Sequence, residues 1–110
     1  MLPDLIVTPQ SDLDWSRWGF SHRDSHDRIR TAIRKKKNVQ LSDYILDPIN
    51  LNDFQTFLAA NQQSHIEMCA ALGVQSTDLG SVDPRNQSQL QAWIYTHYQE
   101  HYMAEQAAGV

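Results

Sequence analysis

The feature that most constrains the fold of this 110-residue chain is a unit that occurs three times without internal gaps. The first copy runs from Val7 to His26, the second from Leu46 to His65 and the third from Val82 to His101, so the spacing is 39 and then 36 residues. The extra residues of the first interval fall beside the KKKN stretch (35–38), where a linker tolerates insertion. One domain over 1–110 is expected, built of repeat units 7–45, 46–81 and 82–110.

Within each unit the same physical roles recur at the same offsets. Thr8-Pro9, Asp47-Pro48 and Asp83-Pro84 predict turns, because proline fixes its own φ and pushes its predecessor toward extended geometry. Ser11 with Asp14, Asn50 with Asp53 and Asn86 with Gln89 have capping-box spacing or a close variant. Then follow Trp15/Phe54/Leu90, Trp18/Phe57/Trp93, His22/Asn61/His97, His26/His65/His101, Ile29/Met68/Ala104 and Ile33/Leu72/Ala108, a spacing that traces one stripe along an α-helix. Gly73 and Gly109, in the matching strings ALGV and AAGV, stand where a left-handed cap is wanted. The pattern predicts helices over 12–36, 51–72 and 87–108 with no convincing strand; 41–45 and 77–81 read as turns or helical fragments.

The expected architecture is therefore an all-α three-helix bundle. Each linker, 38–50 and 74–86, could span roughly 43 Å if extended, enough to run back along a helix. Both a pseudo-threefold bundle of parallel helices and an up-down-up bundle remain open. The inward stripe supplies an aromatic core of Trp15, Trp18, Phe54, Phe57 and Trp93.

All five histidines of the chain lie on that stripe, and Asn61 takes the sixth equivalent place. Buried polar groups cost a few kcal/mol each unless paired, so something must satisfy His22, His26, Asn61, His65, His97 and His101. One reading is a polar layer that bonds to itself, to backbone carbonyls or to water and fixes helix register; inward imidazoles held neutral would have lowered pKa values and make the assembly acid-sensitive. The other is a site for zinc or a similar divalent ion. His22/His26 and His97/His101 have the i, i+4 spacing of chelating pairs, His65 could complete the set, and Glu100 could add a ligand or orient one. No H-E-x-x-H and no E-x-x-H pair of the di-iron type is present, and the aromatic neighbours leave little obvious room for open coordination. On balance no cofactor is expected, with a metal as the alternative.

An enzyme is not expected: the sequence has no G-x-S-x-G elbow and no glycine-rich phosphate loop. Cys69, the single cysteine, excludes an internal disulfide and a Cys-based zinc ribbon and points to a reducing compartment. Its repeat equivalents are Arg30 and Glu105, which predicts a solvated flank and a filler role. No apolar run approaches the roughly 20 residues of a membrane span, and no signal peptide is visible, so a soluble protein without membrane partners is expected. The net charge of −4 is uneven: residues 1–37 carry eight cations against five acids, the rest one cation against eight acids. Arg28, Arg30, Arg34, Lys35, Lys36 and Lys37 thus form a basic patch that could meet an acidic partner or simply close helix 1. Nucleic acid is not expected, since the patch lacks interleaved aromatics and the domain is acidic. Phe20, Tyr95, Tyr98 and Tyr102 fall off the inward stripe and are candidate contacts for another protein.

The motif W-x3-H-x3-H, the LDPINLNDF connection and F-x3-N-Q-x2-H-x2-M-x3-LG resemble small structural proteins of tailed bacteriophages. The resemblance implies a non-catalytic virion component (connector, tail or capsid-associated), assembled in the bacterial host cytoplasm, with other virion proteins or further copies in a homo-oligomeric ring as partners. A structural interaction module of this kind is the expected function, and a small histidine-rich metal-binding bundle is the alternative.

Overall fold

A computed structural model describes residues 2–42, 54–76 and 82–110. It contains a short helix α1 (Leu2–Leu5) and three long ones, α2 (Asp12–Lys37), α3 (Phe54–Leu72) and α4 (Gln87–Ala108). The long helices all pack on one another in a bundle 39 Å long, the length of α2 at 1.5 Å per residue. No strand occurs among the described residues.

The repeat decides the direction of the helices. One apolar cluster joins Trp15 and Trp18 of α2, Phe54, Phe57 and Leu58 of α3, and Leu90, Trp93 and Ile94 of α4. A second joins Ile29, Ala32 and Ile33 with Met68 and with Ala104 and Ala108. N-terminal halves meet N-terminal halves and C-terminal halves meet C-terminal halves, so the three helices run parallel, and of the two topologies left open the pseudo-threefold one is realised.

The helix ends follow the repeat too. Ser11 is extended (φ −148°, ψ 169°) and accepts from the Asp14 amide, while Asn86 accepts from the Gln89 amide. In both, the reciprocal bond of a full capping box is shifted outward: Asp14 accepts from the Gln10 amide and Gln89 from the Asp83 amide. The Asn50/Asp53 pair lies outside the described residues, as does the Asp47-Pro48 turn. Gly73 and Gly109 adopt φ of +72° and +77°, and the amides of Val74 and Val110 each reach back five residues, to Cys69 and Glu105. Helix α2 ends instead on Asn38 at φ +55°, the non-glycine residue most tolerant of that region.

Two features depart from the expected layout. Helix α1 was not foreseen; its Leu5 is fully buried in the aromatic cluster and its carbonyl accepts from Trp18 Nε1 at 3.2 Å. Cys69 is buried rather than on a solvated flank. Its repeat equivalents explain why: Glu105 is also buried and Arg30 half-buried, so this offset faces the neighbouring helix.

Candidate metal centre

Midway along the bundle the stripe changes from apolar to imidazole. His22, His26, His65, His97 and His101 are each at most 5% exposed, and Asn61 is 3% exposed. Trp18 stacks on His22 (centroids 4.8 Å, 12° between planes) and Trp93 on His97 (4.6 Å, 15°). Ile29, Met68 and Ala104 close the other side. All six polar stripe residues therefore meet in one place between two apolar plugs.

Their Nε2 atoms converge. His26 Nε2 lies 3.0 Å from that of His22 and 3.2 Å from that of His65, and His65 Nε2 lies 3.2 Å and 3.1 Å from those of His97 and His101. His22, His65, His97 and His101 bring donor atoms within 4.8 Å of one another, and His26 adjoins this set. Metal–nitrogen bonds of about 2.0–2.1 Å place adjacent nitrogens about 2.9 Å apart in an octahedron and about 3.4 Å in a tetrahedron. The observed separations fall in that interval.

Three of the opposite ring nitrogens turn outward to fixed partners. His65 Nδ1 meets Glu100 Oε1 at 2.8 Å, His101 Nδ1 meets Ser25 Oγ at 2.8 Å, and His26 Nδ1 meets Ser64 Oγ at 3.3 Å. Ser25, Ser64 and Glu100 are themselves repeat equivalents, each preceding the histidine of its own helix and serving that of a neighbour. The pattern closes on itself around the bundle: α2 supports α4, α3 supports α2 and α4 supports α3.

These partners fix tautomers. Ser25 has one hydroxyl proton and gives it to Glu105 Oε2 at 2.6 Å, so His101 must donate from Nδ1. Glu100 Oε1 also accepts from Ser76 Oγ and Cys69 Sγ, so it is an acceptor toward His65 Nδ1 as well. A neutral imidazole with its proton on Nδ1 has a bare lone pair on Nε2. With both rings neutral, the 3.1 Å approach of His65 and His101 Nε2 sets two lone pairs face to face, which is no hydrogen bond; it becomes favourable when both point at a shared cation. Two neutral imidazoles in these tautomers cannot satisfy each other.

The environment favours the neutral form of three of the imidazoles. His26, His97 and His101 are held well below the usual histidine pKa, by burial first and then by the adjoining imidazoles, with Arg30 beside His26 and Arg28 beside His101 adding to it. Neutral imidazole is the form that ligates. Cys69 is pushed up to about 12, by burial first and then by the Glu100 charge, which makes it a thiol that donates to Glu100 and no thiolate ligand or nucleophile.

The cations expected to form one patch divide. Arg28 makes a two-pronged pair with Glu105 (3.0 and 3.1 Å) and reaches Asp24, so it neutralises a buried acid behind the histidines instead of facing a partner. Lys36 Nζ donates to the Ala108 carbonyl at the end of α4. Arg30 is half-buried, while Arg34, Lys35 and Lys37 are exposed. Phe20, Tyr95 and Tyr102 are exposed as expected, whereas Tyr98 packs partly buried against the aromatic cluster. Ser25, Ser64 and Glu105 were missed as site residues, although their offsets in the repeat could have singled them out.

Comparisons with models of protein families, with curated proteins and with solved structures find no match to this chain. Its function has to be read from the site. No helix among the described residues is long and apolar enough to cross a membrane.

Proposed function

We propose that the chain is a small metal-binding protein whose three parallel helices hold one divalent transition-metal ion in an all-imidazole cage. The observation that carries this reading is the 3.1 Å approach of the His65 and His101 Nε2 atoms, with the Nδ1 of each ring turned outward to a partner. Carboxylate–histidine–metal and hydroxyl–histidine–metal relays of this form orient imidazole ligands and raise their basicity. Nitrogen donors without a thiolate or carboxylate among them suit zinc, copper, nickel or iron and not magnesium or calcium.

The test is metal analysis of protein purified without chelator, followed by thermal melts before and after stripping and after dialysis against zinc, nickel or cobalt. One ion per chain is expected. At free ion a thousandfold above Kd the stabilisation is about 4 kcal/mol, a shift of about 15–30 °C in Tm for a domain of this size. A chain that takes up none of these ions and melts identically with and without them ends the proposal.

The interaction module implied by the phage resemblance concerns a different surface. Exposed Phe20, Tyr95 and Tyr102 support it, since aromatics are enriched at protein interfaces. Neighbouring genes for capsid, portal or tail proteins would favour it, and neighbouring metabolic genes would defeat it.

A further inference from the structure

The five rings are arranged as an octahedron that lacks one vertex. Two rings of one helix, His22/His26 and His97/His101, have centroids 4.4 Å and 4.5 Å apart. His101 is near all the others, at 5.0 Å from His22, 4.8 Å from His26 and 4.7 Å from His65. His22 and His65 are instead 6.2 Å apart, with planes only 8° from parallel. Opposite vertices of an octahedron are farther apart than adjacent ones by the square root of two, and 6.2 Å exceeds the 4.4–5.0 Å of the pairs in ring contact by a factor approaching this; a tetrahedron has no long pair. His22 and His65 are therefore opposite vertices. His26 and His97 are the remaining pair not in ring contact, and so stand opposite as well.

The repeat says what belongs at the sixth vertex. The upper position of α2 (His22) faces the lower position of α3 (His65), and the upper position of α4 (His97) faces the lower position of α2 (His26). The same rotation sets the upper position of α3 opposite the lower position of α4, His101. That residue is Asn61, whose side chain ends short of where an imidazole Nε2 would stand. Asn61 Oδ1 is buried and has no hydrogen-bond partner among the described residues, an uncommon condition for a buried acceptor.

This vertex is also where the bundle admits solvent. A cavity of about 170 Å³ is lined by Asn61, His65, Trp93, Thr96, His97 and Glu100. A water occupies about 30 Å³ of liquid, so the space takes several atoms but no large substrate.

We propose that the position opposite His101 is an open coordination site that binds a lone-pair donor of two or three atoms, of the azide, cyanide or nitric oxide kind, entering beside Asn61. The inference rests on the metal-binding reading above. A structural site closes its coordination shell with protein ligands, whereas a site that binds or transforms small molecules keeps a position free. Asn61 Oδ1 then accepts a hydrogen bond from whatever proton-bearing atom occupies the vertex, a metal-bound water at rest.

The experiment uses the full chain stripped of metal and reloaded with Co(II), with azide as the probe. Cobalt uptake is measured first. The loaded wild type is then titrated with azide and the visible absorption followed. A saturable change at one azide per cobalt is expected. Asn61→His supplies the sixth imidazole and should keep the cobalt while weakening azide binding at least tenfold; Asn61→Ala should bind azide at least as tightly as wild type. A chain that takes up no cobalt overturns the metal-binding reading. One that takes up cobalt but ignores azide overturns the open position alone. If wild type is silent and Asn61→Ala responds, the Asn61 carbonyl is itself the sixth ligand and the open position is likewise overturned. Should Asn61→His not fold, the wild-type and Asn61→Ala titrations still decide between these outcomes.

Discussion

The aromatic cluster and the histidine layer are adjacent segments of one stripe, equally buried and made by the same three repeats, yet they are held together by opposite means. In the aromatic cluster every contact is favourable as it stands. Trp15, Trp18, Phe54, Phe57 and Trp93 meet edge-on or tilted at 5.4–6.2 Å between centroids, the arrangement aromatic pairs prefer, and Trp18 Nε1 is satisfied by Leu5. One turn further along, the rings are smaller and as well packed, but they aim lone pairs at one another. The first region contributes stability from the chain alone, and under the metal-binding proposal the second gains further stability when its lone pairs share a cation.

Acid separates the two regions most strongly. For His26, His97 and His101 the pKa is depressed on folding, so the unfolded chain binds protons that the folded chain refuses. Stability from these groups is thus fully present above the unfolded value of about 6.5 and is lost as pH falls below it. Each such histidine removes about 1.4 kcal/mol per pH unit, or about 4 kcal/mol per unit for three, against a total of about 5–15 kcal/mol for a domain. Metal-free protein should melt at a constant temperature from pH 8 to 7 and lose its cooperative transition within about two or three units below 6.5. Melting that is independent of pH down to 5 would place the imidazoles in water and erase the contrast between the regions.

Trp18→Ala attacks the other side. Trp18 is 1% exposed and touches Trp15, Phe57, Trp93 and His22, so its removal should cost about 3–5 kcal/mol through lost burial and a cavity. The loss should be similar in stripped and metal-loaded protein, and uptake should stay at one ion per chain. Chemical denaturation of both forms measures it. A cost that appears only without metal would show that the aromatic cluster depends on the layer beneath it.

How much of this could be read from the sequence follows from which interactions repeat. The stripe, its six polar places, the Gly73 and Gly109 caps and the helix ends at Leu72 and Ala108 are period-bound, and each was legible. Helix direction was not, because linkers long enough to return permit both topologies; only the grouping of Trp15 with Phe54 and Leu90, and of Ile29 with Met68 and Ala104, decides it. Helix α1 escaped because it stands before the first repeat and is too short to show a period. The burial of Cys69 escaped because its equivalents are charged; Arg28 beside Glu105 shows that this flank holds charge by pairing it across helices. The outward partners were in view as Ser25, Ser64 and Glu100, at one offset, but a hydroxyl on a helix carries no signal of its role until the ring it serves is located.

Among those partners Ser25 allows the finest test, because it connects the layer to the surface. Its hydroxyl donates to Glu105 and accepts from His101, and Arg28 holds Glu105 from outside. Ser25→Ala leaves the Arg28–Glu105 pair in place and deprives His101 Nδ1 of its acceptor. The ring is then free to carry its proton on Nε2, where it blocks ligation. Metal affinity should fall about 10- to 100-fold, while the stripped protein loses only about 1 kcal/mol for one hydrogen bond. Ser64→Ala should weaken binding less, since its contact to His26 is 3.3 Å against 2.8 Å. Ser21→Ala, which removes a bond to Asp4 on α1, should leave affinity unchanged. Competition titrations against a chromophoric chelator rank the three. Equal affinities for Ser25→Ala and wild type would mean that the outward partners do not set the tautomer, and the face-to-face lone pairs would lose their explanation.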